Sequence, residues 1–352
     1  MTTEAPNPLV APVPGGAWPR VSVIVPVFNA GRTIDACLAS LRHQDYPLDR
    51  LEIVVADGFS TDGTTEKVLE LAALQLHPQL TIVANPKRST ASGLNVGIAV
   101  ASGDVIVRLD AHSEAPPEYV RRNVEVLLRS GADYVGGKPI NEGTGYWGEA
   151  IALAMANRFG VGAHFRTSSQ AADSDTVAFG AFLRTTFERL GPFDEDLVYS
   201  EDNEYTHRVR AHGGRVRFDP VIHCTYHPRQ TLADLFRQYQ NYGWGRMRHA
   251  LRDGGGVSAR HLAPMAFVGV LVVLYLDSPV SRFARIGLGG VVAAYAVSAT
   301  LTSAYIALRY GLRYFPALPL VFFTLHISYG IGQWHAVFGR IFGRDRRRKS
   351  KG

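Results

Sequence analysis

Cysteine is scarce in this sequence, which contains only Cys37 and Cys224 among its 352 residues. Two cysteines are too few for a disulfide framework or a cysteine-rich zinc site, and they favour a reducing location that faces the cytosol. Charged residues make up 19% of the chain, below the roughly 25% that is typical of soluble domains. A hydrophobic share of 46% excludes global disorder, and the lack of simple repeats excludes collagen and coiled coil.

Several sequence signatures are also missing. No G-x-G-x-x-G follows the first predicted strand and no Walker A sequence is present, which argues against a dinucleotide oxidoreductase and a P-loop NTPase. No aromatic-basic recognition motif appears, so we expect no nucleic-acid partner. Residues 1–18 lack the basic and apolar regions of a signal peptide. We interpret them as a flexible tail and expect the following domain to stay in the cytoplasm.

Long apolar segments appear only after about Arg260, at 262–276, 284–308 and 315–338. The second and third are long enough to cross a hydrocarbon core of about 30 Å. At about 1.5 Å per residue, the first reaches only about 22 Å, so we expect it to be re-entrant or to lie in the interface. We therefore expect residues 253–340 to form a membrane region with two full crossings.

The net charge of +6 is concentrated in part in an arginine-rich tail at 341–352. A basic run that follows apolar segments favours a membrane surface over nucleic acid. If the first domain and this tail both face the cytoplasm, the number of crossings is even, which agrees with two. The sequence thus predicts a multi-pass protein of the cell (inner) membrane with its first domain in the cytoplasm.

Residues 19–252 alternate between short β-branched runs and segments with helical periodicity. Strands are predicted at 21–25, 51–56, 80–84 and 104–109, and helices at 31–43, 64–76, 89–101 and 203–211. This alternation predicts an α/β domain with a mostly parallel sheet that helices cover on both faces.

Polar residues follow three of the predicted strands. Asn29 comes after the first strand, Asp57 after the second, and Asp110 after the strand at 104–109. Each alone also fits a turn or a helix cap. Ligands of open α/β sheets bind outside the carboxyl ends of the strands, so the three together indicate one site.

Two of these positions suggest specific chemistry. Asp57 opens a Gly-rich acidic turn, and a carboxylate there can accept hydrogen bonds from a base N–H or a ribose hydroxyl. Asp110 and His112 can both reach one divalent ion, for which a pyrophosphate would supply the remaining ligands. Mg²⁺ prefers oxygen ligands, and the histidine favours Mn²⁺.

Glu201 and Asp202 precede the predicted helix at 203–211. Carboxylates are favourable in the first turn of any helix, so capping is one interpretation. In the other interpretation, one carboxylate is a general base that takes a proton from a hydroxyl nucleophile.

Taken together, the motifs resemble those of a family 2 glycosyltransferase of the GT-A type. In the first half of the domain, the resemblance rests on V-I-V-P-V-F-N at 23–29, on D-G-F-S-T-D-G at 57–63 (the family's D-G-S-x-D-G-T with Phe59 inserted), and on Asn95 and Gly97. The strand at 104–109 is followed by D-A-H, which is the family's D-x-D with His112 replacing the last Asp. Further along, G-P-F-D-E at 191–195 precedes Glu201-Asp202, and Q-Y-Q-N-Y-G-W-G-R at 238–246 takes the place of Q-x-x-R-W. The D-A-H variant and the apolar C-terminal segments look most like the succinoglycan-type glucosyltransferases of exopolysaccharide assembly.

The resemblance implies a GT-A fold with a Rossmann-like sheet in residues 19–252, followed by transmembrane helices. It implies Asp202 as catalytic base supported by Glu201, a metal (Mn²⁺ or Mg²⁺) at Asp110 and His112, and Gln238 and Arg246 near the pyrophosphate or acceptor. The resemblance also implies a set of residues that bind the nucleotide sugar, namely Pro26, Val27, Asn29, Asp57, Ser60, Asp62 and Asp110. Independently of the resemblance, Arg88 follows the third predicted strand and is a candidate contact for the base or a phosphate.

We therefore expect an inverting glycosyltransferase that moves a hexose, with UDP-glucose as the favoured donor, to a lipid-linked glycan at the cytoplasmic membrane face. A divalent ion and arginine can stabilise the leaving nucleoside diphosphate, and no covalent intermediate is needed. One alternative is a sugar nucleotidyltransferase, which usually has a Gly-rich phosphate loop that residues 25–29 lack. Another is a non-enzymatic membrane scaffold that binds a nucleotide sugar and for which Glu201 and Asp202 are dispensable.

Overall fold

The structure is a computed structural model that describes residues 18–161, 168–196, 201–253 and 259–342. The expected flexible and basic tails lie almost entirely outside these residues. The described strands are β1 (Val21–Val27), β2 (Leu51–Asp57), β3 (Gln79–Ala84), β4 (Val105–Arg108), β5 (Ser113–Glu114), β6 (Tyr134–Asn141), β7 (Ala172–Asp173), β8 (Ala178–Leu183) and β9 (Val216–Tyr226). The described α-helices are α1 (Ile34–Arg42), α2 (Thr64–Ala73), α3 (Thr90–Val100), α4 (Tyr119–Ser130), α5 (Gly145–Met155), α6 (Arg184–Leu190), α7 (Glu201–Ala211), α8 (Leu232–Asp253), α9 (Ala259–Asp277), α10 (Arg282–Tyr310) and α11 (Leu318–Ile341).

The first half of the sheet is parallel and has the order β3-β2-β1-β4. Nearly every residue of β1 and β2 is buried, since their unbroken apolar, β-branched runs suit strands that are covered on both faces. Val27 pairs with Asp57 in the register, so both strands end at the same sheet edge. The four strands and three helices predicted between residues 21 and 109 are confirmed.

The second half of the sheet is mixed and continues the order as β4-β8-β6-β9-β5. β8 runs antiparallel to both β4 and β6, whereas β6 and β9 are parallel. A mostly parallel sheet therefore describes the first half better than the second. The antiparallel pairing brings the start of β8 beside the end of β4, the strand that precedes Asp110.

An aromatic cluster holds α7 against one face of this sheet. The Tyr205 ring stacks on Phe193 with 4.2 Å between centroids, and Tyr134 stacks on Phe182 at 5.2 Å. All four side chains are almost completely buried. Since large buried rings fix a helix in position, α7 presents its first turn, Glu201 and Asp202, at the same sheet edge as Asp110.

Two C-terminal helices, α9 and α10, are long and apolar enough to cross a membrane by length and composition. α9 has 19 residues, about 28 Å at 1.5 Å per residue, so it is longer than the apolar run 262–276 on which the expectation of a non-spanning first segment rests. The number of crossings stays a prediction. α10 has 29 residues and is a candidate span, which agrees with the expectation that the second apolar segment is long enough to cross a membrane.

The third apolar segment, α11, is not one of the two candidate spans found in the described helices. It packs along α8 through glycines. A Cβ at Gly243 would lie 2.1 Å from the Tyr329 carbonyl oxygen, and one at Gly332 would lie 2.0 Å from the Gln240 carbonyl oxygen. The seam leaves no space for larger side chains, so α11 lies against α8 at the end of the α/β domain.

Gly97 offers a test of how α3 packs on β1. A Cβ at this position would lie 2.5 Å from Cγ2 of the fully buried Ile24. We expect Gly97→Val to lower the midpoint of thermal unfolding, since overpacking a core costs about 1–3 kcal/mol. The control is Ala99→Val, which introduces the same β-branched side chain on the exposed face of α3. Equal midpoints for the two variants would contradict this packing.

Candidate active site

Arg108 joins the two acidic motifs at the sheet edge. It ends β4 and is buried, with 5% of its surface exposed. Its guanidinium donates to Asp110 Oδ1 at 3.1 and 3.2 Å, and Nη2 lies 2.8 Å from Glu201 Oε1. Nη1 donates to Asp202 Oδ1. One cation therefore contacts three carboxylates from two distant parts of the chain.

Local structure holds these four groups in place. The Tyr119 hydroxyl donates to the Arg108 carbonyl at 2.9 Å, which fixes the end of β4. Glu201 and Asp202 occupy the first turn of α7, where the helix dipole stabilises negative charge.

A cavity of about 270 Å³ lies beside this cluster. Arg108, Asp110, Glu201 and Asp202 line it together with residues of β8 and α8. On α8 the lining residues are Tyr239, Tyr242 and Arg246, whose spacing places them on one face of the helix. Further lining residues come from α9 and α11, namely Arg260, His261, Pro264, Leu325, His326 and Tyr329.

The surroundings push the pKa values of the two aspartates apart. Burial raises the pKa of Asp202 to about 7; Arg108 opposes this, and Glu201 and Asp110 add to it. Burial also raises the pKa of Asp110, yet the Arg108 guanidinium outweighs it and holds that pKa below its usual value. At neutral pH, Asp110 is therefore ionised while Asp202 titrates, a division that suits a charged ligand and a general base.

Asp110 and His112 suit a divalent ion in their protonation states. Asp110 is ionised, and burial lowers the pKa of His112, which keeps the imidazole neutral. Both are the forms that bind metal. Within the described ranges, no group of three or more His, Cys, Asp or Glu could hold a metal. An ion here would need further ligands from water or a bound diphosphate.

The expected nucleotide-binding turn is cross-linked by its own polar groups. Asp57 accepts hydrogen bonds from the Ser60 hydroxyl at 2.6 Å and the Thr65 hydroxyl at 2.8 Å. Asn29 Oδ1 accepts from the Thr61 amide at 2.8 Å, and Asp62 Oδ2 accepts from the amide of Gly31 at 2.8 Å. The bonds of Asn29 and Asp62 tie the loop after β1 to the loop after β2, whereas those of Asp57 lie within the segment after β2. The turn follows β2, which β1 separates from β4 in the sheet, and none of its residues lines the cavity.

The remaining expected site residues occupy separate places. Pro26 and Val27 lie in β1, and the Arg88 guanidinium stands 5.4 Å from the ring centroid of Phe28. Gln238 Nε2 donates to the Tyr226 and Tyr242 hydroxyls at 3.2 and 3.1 Å and is not among the cavity-lining residues.

Arg246 does line the cavity and donates to Asn203, the residue after Asp202. Of the expected residues, the structure thus gathers Asp110, Glu201, Asp202 and Arg246 in one cavity.

Sequence reasoning missed Arg108 as a functional residue. A signal was available, because Arg108 is the only charged residue in the apolar strand β4 and stands two positions before Asp110. Pro264 of α9 and Leu325, His326 and Tyr329 of α11 gave no such signal, since they lie within apolar segments.

Comparison with known proteins agrees with this geometry. Residues 22–188 match the family model described as Glycosyl transferase family 2. The chain carries a family 2 glycosyltransferase domain. The match contains all of β1 except Val21, together with β2, β4 and Asp110, and it confirms the family predicted from the motifs.

Two curated relatives match most of the chain. A succinoglycan biosynthesis protein, ExoA, of Rhizobium meliloti (strain 1021) is 29% identical over 322 residues, which cover 89% of this chain and 93% of that protein. A dolichyl N-acetyl-alpha-D-glucosaminyl phosphate 3-beta-D-2,3-diacetamido-2,3-dideoxy-beta-D-glucuronosyltransferase of Methanococcus voltae is 24% identical over 318 residues, covering 88% and 95% of the two chains. Over most of its length the chain is therefore similar to a succinoglycan biosynthesis protein and to a named glycosyltransferase.

A solved structure confirms the fold. The mannosyltransferase PcManGT from Pyrobaculum calidifontis, in complex with GDP-Man and Mn²⁺, has a TM-score of 0.61 at 25% identity. The superposition covers 91% of this chain and 89% of that one, so it extends beyond the family 2 domain into the C-terminal helices. The GT-A fold expected from the sequence is confirmed.

Arg108 provides a stability prediction for the glycosyltransferase. We expect Arg108→Met to destabilise the protein by about 3–5 kcal/mol, because removing one partner of a buried ion cluster leaves the other charges uncompensated. The measurement is thermal or denaturant unfolding of the purified chain. Arg237→Met is the control, since the side chains of Arg237 and of its ion-pair partner Asp234 are 75% and 47% exposed. If both variants unfold like the parent protein, Arg108 does not hold the carboxylates together.

Proposed function

We propose that this glycosyltransferase is a membrane-bound, inverting enzyme. It moves a hexose from a nucleoside diphosphate sugar, with UDP-glucose as the first candidate, to a lipid-linked saccharide at the cytoplasmic face of the cell membrane. The observation that carries the proposal is the cavity in which Asp110 and Asp202, joined by Arg108, meet residues of the apolar helices α9 and α11.

The donor would bind at the carboxyl ends of β1, β2 and β4. Asp57 and its turn lie at that edge, and Asp110 and His112 would hold a divalent ion, Mn²⁺ or Mg²⁺. When bound, the ion stabilises negative charge on the departing diphosphate. The Mn²⁺ in the PcManGT complex supports this assignment.

Asp202 would be the general base. Its carboxylate takes the proton of an acceptor hydroxyl, the acceptor oxygen bonds to the anomeric carbon, and the bond from that carbon to the diphosphate breaks. Attack opposite the leaving group inverts the anomeric centre. Glu201 supports the step by holding Arg108, which also orients Asp202.

Three observations support a lipid-linked acceptor at the membrane. α9 and α10 have the length and hydropathy of spanning helices, and α9 lines the cavity. The Methanococcus voltae relative is named for a dolichyl-linked sugar phosphate. A cytoplasmic first domain would agree with the positive charge of the C-terminal tail, because basic segments stay on the cytoplasmic side.

Sugar transfer by membranes containing the full chain tests the proposed function. With labelled UDP-glucose, and with GDP-mannose in a parallel reaction, we expect label in an organic-extractable lipid product. Asp202→Asn should lower transfer by about 100-fold or more, since general base catalysis contributes about 10²–10⁴. Glu70→Gln, an exposed carboxylate on α2, should transfer normally. Normal transfer by a folded Asp202→Asn enzyme would remove the proposed base.

The pH dependence of kcat/KM tests the protonation state of Asp202. The raised pKa, about 7, means that the carboxylate is protonated below neutral pH and cannot accept a proton. We therefore expect kcat/KM to rise about tenfold per pH unit up to about pH 7 and then level off. The Glu70→Gln control should give the same profile. A rate that is constant from about pH 5.5 to 8.5 would contradict this role.

A further inference from the structure

The cavity has a basic part that comes from the C-terminal helices. Arg246 lies on α8, and Arg260 and His261 lie in the first turn of α9. These residues follow the family 2 match, which ends at residue 188. The guanidinium groups of Arg246 and Arg260 add positive charge to a cavity whose carboxylates already share Arg108.

The positive charge of Arg260 is only weakly offset. Arg260 Nη2 lies 3.9 Å from Asp175 Oδ2, too far for a hydrogen bond. Asp175 also pairs with Arg210, at 3.2 Å. In addition, the N-terminus of a helix carries partial positive charge, which makes a guanidinium in the first turn of α9 unfavourable unless an anion is near. The guanidinium fork matches the oxygens of a phosphate group.

Apolar surface begins directly beyond these basic groups. Pro264 lies one helical turn after Arg260, on the same face of α9, and lines the cavity with Leu325 of α11. α9 continues as one of the two helices that are apolar enough to span a membrane. A matching ligand is anionic at one end and apolar next to it, which describes a lipid phosphate or diphosphate better than a soluble anion.

We propose that Arg260, together with Arg246 and His261, binds the phosphate or diphosphate group of the lipid-linked acceptor. Pro264 and Leu325 contact the first carbons of its lipid chain. The saccharide part then lies toward Asp202, because Arg246 also contacts Asn203. This inference rests on the proposed function, in which the acceptor is lipid-linked, and it names the group by which the acceptor is held.

Binding without turnover tests the proposal. The full chain is purified in detergent, and the donor site is filled with UDP, GDP and Mn²⁺. Dissociation constants are then measured for farnesyl diphosphate, farnesol and inorganic pyrophosphate. We expect farnesyl diphosphate to bind about tenfold or more tightly than farnesol or pyrophosphate, since it alone combines a diphosphate with an apolar chain.

The variants separate Arg260 from a general effect of charge. We expect Arg260→Gln to raise the dissociation constant of farnesyl diphosphate about tenfold, and Arg260→Lys to have an intermediate effect because it keeps the charge without the fork. Arg282→Gln removes an exposed arginine at the start of α10 and should bind like the parent protein. The thermal unfolding midpoint of each unliganded variant reports whether it is folded.

Three results would overturn the proposal. Equal affinity of the parent protein and a folded Arg260→Gln variant would exclude Arg260. Equal binding of farnesol would show an apolar site only, and equal binding of pyrophosphate would show a site for soluble anions. The binding assay needs no sugar transfer, so the two proposals can be tested separately. An Arg260→Gln variant that no longer binds farnesyl diphosphate but transfers sugar normally contradicts the acceptor phosphate site alone. Binding without transfer from any donor contradicts the proposed function instead.

Discussion

The buried guanidinium of Arg108 is the constraint on which the site depends. Three carboxylates cannot share a partly dry cavity without a cation, because like charges that are close together raise each other's pKa. Arg108 supplies that cation from the end of β4, and it contacts Asp202 across 94 positions of sequence. The same contact joins a parallel strand to the first turn of α7, so the ion cluster is a structural link as well as an electrostatic one.

Packing determines where this cluster can form. The stacked rings of Phe193 and Tyr205 hold α7 on the sheet, and the glycine seam between α8 and α11 brings the C-terminal helices against the same edge. The cavity is therefore built jointly by the glycosyltransferase domain and the apolar helices. In the proposed function, this arrangement lets a soluble donor and a lipid-linked acceptor meet at one carboxylate, Asp202.

The parts of the fold that could be predicted are those with local signals. β1 to β4 and α1 to α3 follow from alternating periodicities of two and 3.6 residues. The mixed pairing of β6, β8 and β9 has no such signal, because strand direction and order depend on contacts between distant segments. The same limit applies to α9, whose additional turn begins at Ala259, before the apolar run. The third apolar segment is expected to cross the membrane, yet α11 is not a candidate span among the described helices and packs through glycines against α8.

The sequence by itself determined the family, the α/β class and the residue types at the strand ends, because the polar groups of such a site must follow apolar strands in a recognisable order. It also indicated an apolar C-terminal region. Only the tertiary structure decided that Asp110 and Asp202 share Arg108, that Asp57 is satisfied within its own turn, and that Arg260 lines the same cavity. These are contacts between segments far apart in the chain, and no local pattern specifies them, since they arise from how sheet, helices and buried charges pack together.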